Sequence, residues 1–74
     1  MVPGVVRWYA DKGYGFIRGD DGADIYVNER TIRDAGLAAL REGERVLYDP
    51  VRNGTRWRAG AVALEGVRPE GTAP

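Results

Sequence analysis

The stretch Lys12-Gly13-Tyr14-Gly15-Phe16-Ile17 decides the fold. Side chains alternate along an extended backbone, so a strand through it sends Tyr14 and Phe16 to one face and Gly15 and Ile17 to the other. Burying both rings would push Ile17 into water and leave Gly15 with nothing to pack. The opposite choice places Ile17 in the core and leaves two rings outside, beside a lysine. Exposed rings next to cations suit a single-stranded nucleic acid, because every base has a π-face and every linkage a negative phosphate.

Outward from this stretch the chain reads as short strands broken by turn chemistry. Gly4 to Tyr9 is β-branched and aromatic, and its doubled pairs, Val5-Val6 and Trp8-Tyr9, predict either a bulge in a first strand or a strongly coiled one. Ala10 to Gly13 makes a turn into a second strand over Tyr14 to Arg18. Asp21-Gly22 predicts a hairpin into a third strand, Asp24 to Asn28, with Ile25 and Val27 on one side and Tyr26 and Asn28 on the other. The long connection from Glu29 to Gly43 is expected to hold a short helical turn capped by Thr31 and interrupted at Gly36. A fourth strand, Arg45 to Asp49, is expected to stop at Pro50, with a tight turn at Asn53-Gly54 and a fifth strand from Arg56 to Leu64.

Five short strands, three of them in meander, favour an all-β fold: a small closed antiparallel barrel with a long strand 3 to strand 4 connection. Closure removes the open edges that so small a sheet would otherwise expose. The expected core is Val6, Ile17, Ile25, Val27, Ile32, Leu40, Val46, Val62 and Leu64, with Gly15 where the strand bends. A 74-residue chain holds one domain and buries only about 60% of its unfolded surface. Residues 1–66 are assigned to that domain and 67–74 to a disordered tail, with fraying expected from Glu65 onward.

Composition narrows the function. The chain has neither cysteine nor histidine, so it has no disulfide framework, no thiolate or imidazole metal site and no histidine base. The acidic turn at Asp20, Asp21 and Asp24 lacks the spacing and terminal glutamate of a calcium loop, and Gly13-Tyr14-Gly15 lacks the third glycine of a dinucleotide fingerprint. No catalytic residue, cofactor, metal or small-molecule substrate is expected. Nothing approaches the roughly 20 apolar residues of a membrane span, and the chain is expected to be cytoplasmic. Basic and acidic residues balance at 11 each, so the whole-molecule charge lends no support to a nucleic-acid partner and any electrostatic case must rest on how the charge is distributed.

The order Arg7-Trp8-Tyr9, Lys12-Gly13-Tyr14-Gly15-Phe16-Ile17, Asp24-Ile25-Tyr26-Val27 and Glu42-Gly43-Glu44-Arg45-Val46 resembles the bacterial cold-shock domain family, from about Gly4 to Leu64. The resemblance implies a five-stranded barrel of the oligonucleotide-binding type, acting on single-stranded RNA or DNA as an RNA chaperone or a modulator of transcription and translation. By position it implies a stacking platform of Trp8, Tyr14, Phe16 and Tyr26, with Arg7 and Lys12 near phosphates. The chain departs from the family pattern at Asn28, where histidine is usual, and at Glu29 and Leu37, where aromatics are common. It departs again at Ala10, where asparagine is common. These changes imply a shortened surface, on which Asn28 either hydrogen-bonds a base instead of stacking or satisfies backbone groups at the strand end. Arg56-Trp57-Arg58 replaces a stretch usually rich in glycine and proline, either adding a platform or capping the barrel end with the flanking guanidiniums stacked on Trp57. The rival reading is a barrel of the same type that recruits a protein partner through its aromatic patch.

Overall fold

The computed structural model describes residues 1–66; the tail expected over 67–74 lies outside the described residues. Its strands are β1 (Val2–Ala10), β2 (Tyr14–Gly19), β3 (Asp24–Asn28), β4 (Arg45–Asn53) and β5 (Arg56–Leu64), with a single helix, α1 (Glu29–Asp34), between β3 and β4. They close into a barrel in the order β1-β2-β3-β5-β4. All neighbours are antiparallel except β3 and β5, which meet in parallel at Tyr26↔Arg58. The purely antiparallel expectation is corrected here for a topological reason. Strand direction cannot alternate all the way round a ring with an odd number of members.

The hairpins follow local chemistry. Gly13 closes the three-residue β1–β2 loop at φ +97°, its N–H donating to the Ala10 carbonyl. Gly22 adopts φ +93° in the β2–β3 turn, where Asp21 Oδ1 accepts from the Ala23 N–H at 3.0 Å. The last turn lies one residue later than expected. Asn53 pairs with Arg56, so Gly54-Thr55 forms the loop, with positive φ at Gly54 alone, as a type II′ turn requires.

Strand β4 does not stop at Pro50. The register shifts there, with Asp49 opposite Ala61 and Pro50 opposite Ala59, so the missing N–H falls at a bulge and the strand continues to Asn53. The helix is capped by Asn28, whose side chain accepts from the Thr31 N–H at 3.0 Å, and not by Thr31. Thr31 is buried, and its hydroxyl donates to the Ala59 carbonyl at 3.3 Å. At the other end, Gly36 at φ +79° and Leu37 donate back to Arg33 and Ile32, a Schellman stop that draws Leu37 onto the core.

The buried core contains Val6, Ile17, Ile25, Val27, Ile32, Leu40, Val46 and Val62, as read from the sequence, together with Tyr48 and Ala59. Leu64 is only partly buried against it. Glu65, expected to fray, is instead held to the start of β4: its N–H donates to the Arg45 carbonyl, and its carboxylate accepts from Arg45 Nε at 3.1 Å. The same guanidinium grips both oxygens of Asp20 at 3.0 Å. That pairing holds Asp20 below the usual aspartate range, chiefly through the hydrogen bond from Arg45.

Candidate nucleic-acid interface

The site depends on a register shift in β1. Gly4 and Val6 are buried, so simple alternation would carry Trp8 inward too. Val6 faces Ile17, but Trp8 faces Phe16, and the extra residue between them is Arg7. This bulge reverses the parity of the rest of the strand. Trp8 emerges on the outer face, 41% exposed, while Tyr9 turns in and packs against the core. The doubled pairs in the sequence are the trace of that reversal. Gly15 permits it: a Cβ there would run into the Trp8 carbonyl oxygen and come within 2.9 Å of Tyr9 Cα.

With the parity set, the rings assemble by strand register. Trp8 lies opposite Phe16, Phe16 opposite Tyr26, and Tyr26 opposite Arg58, a row across β1, β2, β3 and β5. Adjacent strands lie about 4.8 Å apart, so the row spans roughly 14 Å. Phe16 is its hub, with ring centroids 5.4 Å from Trp8 and 5.7 Å from Tyr26. Tyr14 sits one step along β2, 5.7 Å from Trp8 and 6.5 Å from Tyr26, nearly parallel to the latter at 28°. Tyr14, Phe16 and Tyr26 are half-buried, while the Ile17, Ile25 and Val27 that alternate with them are fully buried. The rings therefore lie outside the barrel and brace one another, edge-on in the Trp8–Tyr14 and Phe16–Tyr26 pairs, tilted between Trp8 and Phe16 and nearly parallel between Tyr14 and Tyr26.

Cations border this surface. Arg7 is exposed at the bulge and lines a shallow cleft of about 210 Å³ with Trp8, Phe16, Arg18 and Asp24. Arg18 was not singled out from the sequence, yet it shares the outward parity of Tyr14 and Phe16, and parity would have found it. Its 3.6 Å pair with Asp24 is well exposed on both sides, a kind worth about 0–1 kcal/mol, so the guanidinium is only loosely held. Lys12 is exposed on the β1–β2 turn. Glu29, which stands where a stacking ring is common, is drawn aside: its carboxylate meets Arg33 at 2.8 Å, one helical turn on, and its Cβ lies against Gly13. Asn28 is exposed, but its side-chain oxygen is engaged at the helix cap, so only its amide nitrogen is left without a role in the cap.

At the far end of the row, Arg58 is half-buried and Arg56 exposed. The cation over Trp57 is Arg52, 5.3 Å from the ring centroid, in place of the flanking arginines expected to stack there. Arg52 and Trp57 are register partners across the β4–β5 hairpin, and that pairing becomes legible only once the turn is placed at Gly54-Thr55.

Among the described residues no helix is long and apolar enough to cross a membrane, and no group of three acidic, histidine or cysteine side chains is placed to hold a metal ion. A closed five-stranded barrel with aromatic rings outward on its first three strands defines an oligonucleotide-binding-type module. The chain belongs to the cold-shock domain family: the family model described as the 'Cold-shock' DNA-binding domain matches residues 2–64. Among curated relatives, it is 48% identical over 50 residues to Cold shock protein 1 of Lactiplantibacillus plantarum, covering 66% of this chain and 76% of that protein. It is 46% identical over 55 residues to Cold shock protein CspA of Rhizobium meliloti, covering 72% and 80%. With Cold shock protein CspC of Bacillus subtilis the identity is 40% over 57 residues, covering 76% and 85%.

Proposed function

We propose that the protein binds single-stranded RNA or DNA with little base preference and acts without catalysis, as an RNA chaperone or a modulator of transcription and translation. The observation that carries this is the outward row Trp8–Phe16–Tyr26 ending on Arg58, with Tyr14 beside it. Bases stack on Trp8, Tyr14, Phe16 and Tyr26, while Arg7, Lys12 and Arg58 meet the backbone and Asn28 offers an amide N–H to a base edge. Each stacked base contributes about 1–3 kcal/mol, without regard to its identity. Membership of a family described as DNA-binding supports the same reading.

The charge balance sets the character of the complex. With 11 basic and 11 acidic residues the molecule has no net charge to draw in a polyanion, and only the few cations bordering the rings attract phosphates, so stacking outweighs phosphate contact. Titration with oligothymidine and with polyuridine, followed by tryptophan fluorescence, tests the proposal: Trp8 is quenched near micromolar protein if bases lie on the row. Unchanged emission with both strands would point to the protein-partner reading of the aromatic patch.

A further inference from the structure

We propose that Trp57 adds one base subsite beyond the Tyr26 end of the row, in a cleft peculiar to the β4–β5 hairpin; the inference rests on the single-strand reading above. Tyr26, Asn53, Arg56, Trp57 and Arg58 line a cleft of about 150 Å³. It adjoins the end of the row, because the parallel contact Tyr26↔Arg58 sets β5 beside the last ring and Trp57 is the next residue along. Trp57 is 39% exposed, a large indole that the core does not absorb. Arg52 lies over the ring from across the hairpin and fixes its attitude.

A second groove, of about 420 Å³, borders Trp57 as well and reaches Ile25, Tyr48 and Pro50. Electrostatics separates the two. The larger groove carries the carboxylate of Asp21, which repels a phosphate, whereas Asp20 there is already paired with Arg45. The lining of the smaller one holds two arginines, an asparagine amide and no carboxylate. A strand leaving Tyr26 therefore turns toward Arg56 and Arg58, and its next base meets Trp57, with Asn53 facing the base edge. This gives the hairpin a role in binding length: the site takes one more nucleotide than the four-ring platform alone.

Affinity against length decides it. Labelled oligothymidines of about three to eight nucleotides, within the site size of one such barrel, are titrated by anisotropy into the wild type, Trp57→Ala and Phe16→Ala. The proposal expects Trp57→Ala to match the wild type on the shortest strands and to weaken the longest about tenfold, so that affinity levels off one nucleotide earlier. Equal affinity at every length, or the same loss at every length, would overturn it. Phe16→Ala separates the two claims: if it weakens all lengths while Trp57→Ala does nothing, only the added subsite fails. If Phe16→Ala changes nothing, the single-strand reading itself fails. Trp8→Phe leaves Trp57 the sole tryptophan, and long but not short strands should quench it; emission unmoved by a saturating long strand contradicts the subsite even if Trp57→Ala does not fold.

Discussion

Gly15→Ala is the sharpest probe of how the barrel sets its outer face. The added methyl would meet three neighbours, and two of them, the Trp8 carbonyl oxygen and Tyr9 Cα at 2.9 Å, are main chain and cannot rotate away; the third is Tyr9 Cδ1, also at 2.9 Å. Relief requires β1 and β2 to part where Tyr9 faces Gly15, the step next to Trp8↔Phe16. Overpacking of this kind costs about 1–3 kcal/mol, and main-chain partners place it at the upper end. Alanine returns up to about 1 kcal/mol by restricting the unfolded chain, leaving a net loss of about 2 kcal/mol. A domain of this size has roughly 4–11 kcal/mol in all, and each 1 kcal/mol moves Tm by about 4–8 °C. Thermal melts followed by circular dichroism should therefore show a drop of about 8–16 °C. Gly66→Ala is the control, since nothing lies within 4 Å of the place its methyl would occupy and its φ is unstrained; its Tm should stay put. A Gly15→Ala protein melting within about 4 °C of the wild type would refute the close approach, and with it the account of how Trp8 reaches the surface.

The other predictions concern the border of the site and the barrel's closure. The slope of log affinity against log salt should be shallow, near −2, corresponding to about two or three released counterions; a much steeper slope would show phosphate contact in command. Asn28→Ala should cost about 0.5–2 kcal/mol through loss of the helix cap, seen as a lower urea midpoint, whereas Asn28→Ser should restore most of it. Because Arg45 lowers the Asp20 carboxyl in the folded state, its contribution to stability is complete above the unfolded value of about 3.9 and is lost as pH falls through the lower, folded value. The Tm gap between wild type and Asp20→Asn should then be constant above about pH 5 and shrink below about pH 4; a gap that widens on acidification would contradict the pairing.

Much of the fold was legible because alternation and turn chemistry are local. Strands β3 and β5 lie where the sequence placed them, and the doubled pairs in β1 announced the bulge that the register confirms at Arg7. Tyr48, two residues past Val46, shares its inward parity and so was legible in the same way. What escaped depended on partners distant in sequence. Pro50 ends a strand only if its N–H is needed, and the bulge at Gly60 across from it removes the need. Thr31 looks like a cap until β5 supplies the Ala59 carbonyl for its hydroxyl, which leaves Asn28 to close the helix. The platform of Trp8, Tyr14, Phe16 and Tyr26 followed from parity together with the family resemblance, and the structure brings these rings onto one outer surface. The cations were harder to read, because whether an arginine is free or paired depends on Asp24, Glu29 and the hairpin register.

The central claim is that the outward rings stack on unpaired bases, and Phe16 tests it most directly because it joins Trp8 to Tyr26. Oligothymidine affinity should be measured for the wild type, Phe16→Ala and Phe16→Tyr, each confirmed as folded by its melt. The account predicts a loss of at least about tenfold for the alanine variant, with tyrosine restoring binding; equal affinity in all three would contradict it.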